Sequence, residues 1–123
     1  MSYNLYVHSE SDYLYIKLYG EARSSQAQEI TSKVFEERLK YEHKKMIIDI
    51  RELSVPRQIV NAFHLVRSYP LPSSKAFWKT AVVERQENSQ YSSFFENAAR
   101  NQGHLLAVFY DREKAVEWLR NTE

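Results

Sequence analysis

The segment Met46-Ile47-Ile48-Asp49-Ile50 decides the fold, because four of its five side chains are apolar. A nearly continuous apolar run of this length is typical of a β-strand that is buried on both faces. Such strands belong to parallel sheets that are covered by helices, as in α/β proteins. The segment therefore predicts a central strand of an α/β domain, with Asp49 as its one polar interruption.

The chain before this strand predicts two short strands and one helix. Residues 5–8 and 13–19 have the composition of strands, and the second alternates apolar side chains with polar ones until Gly20 ends it. Ser25 and Gln28 resemble a capping box at the start of a helix. The apolar stripe predicted for that helix is Ala27, Ile30, Val34 and Phe35.

The chain after the central strand predicts two helices with a strand between them. Pro56 suits the first position of a helix, and residues 70–74 are expected to form the loop that ends it. The apolar positions of this helix are Ile59, Ala62, Phe63 and Val66. A strand is predicted over residues 77–83, and Asn88 or Ser89 then caps the next helix. Its apolar stripe is Tyr91, Phe94, Phe95 and Ala98.

The C-terminal part predicts one more strand and one more helix. Gly103 provides a left-handed stop, residues 104–110 form an apolar strand, and Asp111 caps the last helix. The inward positions of that helix are Ala115, Trp118 and Leu119. The predicted order is β-β-α-β-α-β-α-β-α, which favours parallel strand pairing with helical crossovers. With 123 residues, the chain is expected to form a single α/β domain with a mixed sheet.

Composition excludes several classes of function. The 17 basic and 16 acidic residues leave a net charge of +1, so no strong field attracts nucleic acid. The absence of cysteine excludes disulfides, thiolate nucleophiles and zinc sites that contain cysteine. No apolar stretch approaches the roughly 20 residues of a membrane span, and the N-terminus lacks the pattern of a signal peptide. We therefore expect a cytoplasmic protein.

Catalytic and cofactor motifs are not evident in the sequence. The four histidines, His8, His43, His64 and His104, lack the spacing of a metal pair, so surface or half-buried positions and no metal are expected. Only two glycines occur, and each has a turn to form, so a phosphate-cradling loop and a bound nucleotide cofactor are not expected. There is no Gly-x-Ser-x-Gly motif. These features favour a protein that is not an enzyme.

The end of the central strand is the best candidate for a regulatory or reactive loop. Its residues are Asp49, Arg51, Ser54 and Arg57. Ligand sites in open α/β sheets tend to lie just beyond the carboxyl ends of the strands. The alternative is that Asp49 only organises the next loop by hydrogen bonding and that Ser54 is a loop or capping residue.

Tyrosines line one face of the second predicted strand. Tyr13, Tyr15 and Tyr19 alternate with apolar residues that already supply the opposite face. Tyrosine has a large apolar body and a polar tip, which suits a partner interface. The other interpretation is that a helix of the same chain covers this face and makes the tyrosines part of the core.

The order of elements, the segment 46–55 and the tail of the chain resemble a STAS domain of the SpoIIAA-like type. The matching tail residues are 94–101, Gly103, His104, 108–111, Ala115, Trp118 and Leu119. This resemblance implies a mixed sheet with helices packed mainly on one face. It also implies protein–protein regulation rather than catalysis. We further expect a homodimer, with the face of Tyr13, Tyr15 and Tyr19 as a candidate contact surface.

The chain departs from the pattern of this family at one place. Regulatory members carry an acid-Ser-Ser-Gly motif that opens the helix after the buried strand, and a partner kinase phosphorylates a serine there. Pro56-Arg57-Gln58 stands at that position here, and no glycine follows. Ser54 is the nearest hydroxyl. The resemblance thus implies an interaction module without the usual phosphoacceptor motif.

A second hypothesis is a binding protein for a small apolar or lipid-like ligand. Some relatives that share this tail are grouped with the lipid-binding Sec14-like fold, and the resemblance therefore also implies a possible apolar ligand. The ligand would lie between the sheet and the helices that carry Phe63, Phe94 and Phe95. Both hypotheses are kept, and the protein-interaction module is the leading one.

Overall fold

A computed structural model describes residues 2–41, 43–56 and 79–121. Five strands form one sheet in the order β1-β2-β3-β4-β5. They are β1 (Tyr3–Ser9), β2 (Leu14–Glu21), β3 (Lys45–Ser54), β4 (Lys79–Val83) and β5 (Leu105–Phe109). β1 runs antiparallel to β2, and every later neighbour is parallel. The mixed α/β sheet predicted from the sequence is therefore confirmed.

Three α-helices lie within the described ranges. They are α1 (Ala27–Leu39), α2 (Ser89–Asn101) and α3 (Arg112–Arg120). Short 3-10 turns, Ser24–Gln26 and Gln86–Asn88, precede α1 and α2. The helix predicted after Pro56, the loop at 70–74 and the start of the strand predicted at 77 lie outside the described residues. In the part that the structure describes, no helix is long and apolar enough to cross a membrane.

The helices cover both faces of the sheet. On one face, which we call the two-helix face, Ile30 and Val34 of α1 pack against Ile16 of β2. Phe95 of α2 packs against Val82 on the same face, because Ile16, Ile48 and Val82 lie side by side across the strands. On the other face, the α3 face, the buried cluster is Ile47, Ala81, Val83, Ala115 and Leu119 with two tyrosines of the β1–β2 hairpin region. Two of the three described helices thus share one face.

The ends of the elements differ in places from the prediction. β2 does not end at Gly20 but continues to Glu21, and Gly20 has a positive φ of 102° inside the strand. The capping box predicted for Ser25 and Gln28 is also wrong. Instead, the backbone N–H of Arg23 donates to Oε1 of Gln26 over 2.8 Å, so the 3-10 turn begins before the α-helix.

Two caps near the C-terminus are confirmed. Gly103 ends α2 with a φ of +90°, and the Asp111 side chain accepts a hydrogen bond from the backbone N–H of Lys114 over 2.9 Å. Both devices satisfy backbone groups at helix ends. The apolar stripe of α2 is wrong at Phe94, whose side chain is exposed because it lies one position outside the buried line that contains Phe95.

The β5 edge of the sheet is capped by side chains of α2. Glu96 Oε2 accepts from the backbone N–H of Val108 over 2.7 Å. Arg100 Nε donates to the carbonyl of Leu106 over 2.9 Å. An edge strand presents unpaired backbone groups on which another strand can pair, and this covering removes two of them.

Candidate functional site

Asp49 lies where the sheet narrows. It pairs with Lys17 of β2 on one side and with Val83, the last residue of β4, on the other. Val83 in turn pairs with Phe109, the last residue of β5. β3 continues past this level to Ser54 along β2. The prediction that Asp49 lies near the carboxyl end of its own strand is therefore wrong, because β3 continues to Ser54. Asp49 lies instead level with the last residues of β4 and β5.

The carboxylate of Asp49 is buried and fully hydrogen bonded. Oδ2 accepts from the hydroxyl of Tyr15 over 2.7 Å and from Nη2 of Arg51 over 2.8 Å. Oδ1 accepts from the backbone N–H and from Nε of Arg51, over 3.1 and 3.0 Å. An ionised carboxylate offers about four acceptor positions, so these bonds occupy it. The two-pronged contact with Arg51 is the strong, charge-assisted kind.

The pKa values of this group reflect burial and pairing. Burial raises the pKa of Asp49, but the hydrogen bonds from Arg51 and Tyr15 outweigh it, and the pKa lies below its ordinary value. Burial first, and then the neighbouring Asp49 carboxylate, raise the pKa of the Tyr15 hydroxyl to about 12. At neutral pH the site is thus an aspartate that accepts from a neutral tyrosine.

Of the four candidate residues around the end of β3, the structure brings two together. Arg51 and Asp49 form the ion pair, whereas Ser54 is exposed at the last position of β3. The carbonyl of Ser54 accepts from the N–H of Ala22 over 2.8 Å. Arg57 lies outside the described residues. The geometry supports the organising role for Asp49, although what it organises is β3 and β2 and not the following loop.

The tyrosine face is covered by the chain itself for two of its three residues. Tyr13 is 5% exposed and Tyr15 7%, because α3 packs over them. The candidate interface is therefore wrong at Tyr13 and Tyr15, and the alternative that they are core residues is confirmed. Tyr19, which is 39% exposed, stays at the surface. A register shift between β2 and β3 lies between Lys17 and Tyr19.

Arg112 connects these tyrosines to the N-terminus of α3. Its guanidinium carbon lies 3.8 Å from the ring centre of Tyr15. Nη2 donates to the hydroxyl of Tyr13 over 3.2 Å and to Oε2 of Glu10 over 3.3 Å. Arg112 could not be predicted from the sequence, because no local pattern indicates which distant side chains a helix start will contact.

Glu84 is a second buried carboxylate that the sequence analysis missed. It follows β4 directly and is 1% exposed. Oε1 accepts from the backbone N–H of Arg85 over 2.9 Å and from Nδ2 of Asn88 over 3.2 Å. It therefore shapes the turn before α2. The signal that could have identified it is the one that identified Asp49, an acid beside an apolar strand.

Beyond α3, the same face of the sheet carries an open patch. It consists of Tyr6, His8, Lys17, Tyr19 and Glu52, which the strand register places on one side. Tyr6 is 50% exposed, and its ring is parallel to that of His8 with 6.4 Å between the centres. Lys17 Nζ lies 2.9 Å from Oε2 of Glu52 and 5.8 Å from the ring centre of Tyr19.

The residues named for an apolar ligand site do not come together in the described part of the chain. Phe94 is 41% exposed, and Phe95 is buried in the packing of α2 against β4. Phe63 lies outside the described residues, as does His64. Among residues 2–41, 43–56 and 79–121, no three metal-ligating side chains converge.

Tyr15→Phe is expected to lower the free energy of unfolding by about 1.5 kcal/mol at pH 7, because it removes a buried hydrogen bond to a carboxylate. The pKa of Asp49 is depressed in the folded chain, so its contribution is present above the ordinary value of 3.8. It is lost as the pH falls through the lower folded-state pKa. Urea unfolding of both chains from pH 7 into this acid range should show the difference shrinking.

Tyr13→Phe is the control for this pH series. Its hydroxyl binds Arg112 and not a carboxylate, so the effect of Tyr13→Phe should not follow the titration of Asp49. A Tyr15→Phe effect that keeps its size through the acid range would contradict the assignment.

Comparison with known proteins places the fold. No family model matches the chain, and no curated protein matches it. The fold is similar to that of an anti-sigma factor antagonist from Mycobacterium paratuberculosis, with a TM-score of 0.65, 11% identity, and 98% of this chain and 96% of that chain covered. It is also similar to an uncharacterized protein with a SpoIIAA-like fold from Shewanella loihica, with a TM-score of 0.55, 20% identity, and coverages of 95% and 93%. The resemblance predicted from the sequence is confirmed as a SpoIIAA-like fold.

Proposed function

We propose that this protein is a non-catalytic regulatory module that acts by binding another protein in the cytoplasm. The observation that carries the proposal is the SpoIIAA-like fold, which a protein described as an anti-sigma factor antagonist shares over 98% of this chain. Such a module needs a stable surface and no reactive group. The cysteine-free composition agrees with a reducing compartment.

The polar interior supports a binding role. Asp49 and Glu84 are the buried carboxylates of the described residues. Each accepts hydrogen bonds from side chains and backbone of the chain itself. A general base must reach a proton of its substrate, and the acceptor positions of Asp49 are already occupied. Asp49 therefore stabilises the sheet and Glu84 the turn before α2, and recognition falls to the surface.

We also propose that binding is not switched by phosphorylation at the position used in the family. Pro56-Arg57-Gln58 replaces the expected acid-Ser-Ser. Ser54 has an exposed side chain, but its carbonyl is bonded to Ala22 at the end of the sheet. A phosphate on Ser54 would lie at the last position of β3, and the acid-Ser-Ser-Gly pattern that opens the next helix in the family does not follow it.

The partner is expected to contact the exposed end of β3. A photoreactive phenylalanine analogue at position 54 should form one covalent adduct of defined mass in cells. The same analogue at Glu113, which is exposed on α3, is the control and should not form that adduct. The purified partner should then bind Ser54→Ala and Ser54→Asp with affinities within about threefold of each other, because no charge switch operates.

Either of two results would oppose this proposal. An adduct that forms equally well from positions 54 and 113 would remove the end of β3 as the contact surface. A loss of binding in Ser54→Asp with normal binding in Ser54→Ala would show that added charge does act as a switch.

A further inference from the structure

The outer edge of β1 is unpaired within the described residues. Ser2 O accepts from the N–H of Glu21, and Glu10 N donates to the carbonyl of Tyr13. Hydrogen bonding alternates along an antiparallel strand, so the even-numbered residues of β1 face β2. The backbone groups of the odd-numbered residues therefore point away from the sheet. They are those of Tyr3, Leu5, Val7 and Ser9.

β1 also lacks the usual protection of an edge strand. Its sequence, YNLYVHS, contains neither a charged residue nor proline. Natural edges are protected by charges, prolines, bulges or covering side chains. The β5 edge shows such covering, since Glu96 and Arg100 of α2 occupy two of its backbone groups. Within residues 2–41, 43–56 and 79–121, the β5 edge is therefore partly covered by side chains, whereas the outward backbone groups of β1 are left available for pairing.

We propose that two copies of this chain pair antiparallel through β1 and join their sheets across a two-fold axis at Tyr6. Tyr6 is the middle residue of Tyr3–Ser9, so a register centred on it lets the whole strand pair. Every outward N–H and C=O of one strand then meets its counterpart on the other. This gives the homodimer expected from the sequence a surface other than the buried Tyr13 and Tyr15, and it deepens the proposed function without depending on the identity of the protein partner.

The side chains agree with this register. On the two-helix face, Leu5 lies opposite Val7 of the second copy, and both are half-buried against the core of their own copy. On the α3 face, Asn4 lies opposite His8 and can hydrogen bond to it. At the axis, Tyr6 meets Tyr6 as a non-hydrogen-bonded pair, in which Cα atoms approach to about 4.5 Å. The 50% exposure of Tyr6 is then explained by a ring that the second copy covers.

Charged substitutions at Tyr6 test the proposed two-fold axis. Sedimentation equilibrium should show the wild-type chain as a dimer, and Tyr6→Glu should raise the dissociation constant at least about tenfold, because two like charges replace an aromatic pair. Tyr6→Lys should do the same. An equal mixture of the two variants should restore the dimer, because opposite charges then meet. Tyr19→Glu, on the same open patch but away from the edge, should leave dimerisation unchanged.

Amide hydrogen exchange tests the pairing itself. The amides of Leu5 and Val7 should become protected as the protein concentration rises, whereas those of Asn4 and Tyr6 should be protected at every concentration by β2. The thermal unfolding curve of Tyr6→Glu shows whether this variant is folded. We expect it to be folded, because the ring that is replaced is half exposed in a single chain.

Three results would overturn the proposal. The first is a wild-type chain that stays monomeric up to about 1 mM. The second is that Tyr6→Glu and Tyr19→Glu weaken dimerisation equally. The third is a dimer in which the amides of Leu5 and Val7 exchange freely. The photocrosslinking experiment at position 54 is repeated in the Tyr6→Glu variant, to test the adduct with the protein partner separately from the dimer. Its presence there would show that the binding of the protein partner stands even if the dimer fails.

Discussion

Replacing Asp49 with alanine is expected to lower the free energy of unfolding by about 3 kcal/mol. The variant leaves the hydroxyl of Tyr15 without an acceptor in a buried position. It also removes the partner of Arg51, whose side chain is 38% exposed and can turn to water, so the cost is at the lower end for a buried pair. Equilibrium unfolding in urea at pH 7 measures the difference.

Asp12→Ala is the matched control for this variant. Asp12 also pairs with an arginine, Arg120, over 2.9 Å, but both side chains are well exposed. Exposed pairs of this kind contribute little to stability, so the unfolding midpoint should barely move. If Asp49→Ala were as mild as Asp12→Ala, the buried network would not stabilise the junction of β2 and β3, and the organising role given to Asp49 would be wrong.

Gly20→Ala is expected to destabilise the chain by about 3 kcal/mol, whereas Gly103→Ala should cost about 1 kcal/mol. Both glycines have a positive φ, 102° and 90°, which strains any L side chain. They differ in the space around them. A Cβ at Gly20 would lie 2.7 Å from the carbonyl oxygen of Ser2 and 3.1 Å from Cα of Tyr3, both in the backbone.

Gly103 isolates the effect of backbone strain, because a Cβ there meets nothing within 4 Å. The difference between the two variants therefore measures the clash with the start of β1. Thermal and urea unfolding of both chains give this difference. Equal losses would show that Ser2 and Tyr3 can move away from β2 at little cost, and that the N-terminal end of β1 is loosely attached.

The sequence predicted the architecture because its strongest patterns are local. The apolar run at 46–50 and the alternation at 13–19 each depend on neighbouring residues, and so do the caps at Gly103 and Asp111. Local patterns also determine helix and strand order, from which parallel pairing follows. The errors at Ser25 and Gly20 concern element ends, where a shift of one or two residues changes which group is the cap.

The candidate site was predictable only in part. Asp49 interrupts an apolar strand, and Arg51 follows two residues later. Because side chains two positions apart in a strand lie on the same face, the sequence indicated that these two could pair. The contact between Asp49 and Tyr15 joins residues 34 positions apart, and it depends on how β2 and β3 align. Alternation indicated that Tyr13 and Tyr15 share a face, but not that α3 would cover it, because no local pattern indicates where a C-terminal helix packs.

The capped β5 edge limits how far this protein can assemble. Growth into a filament by strand addition requires a free strand at each end of the sheet, so that every added copy offers a new one. Glu96 and Arg100 occupy two backbone groups of the β5 edge, and the proposed pairing through β1 uses the other edge. An association that uses the same surface on both copies closes on itself. Two side chains of α2 therefore separate a closed pair of chains from open-ended polymerisation.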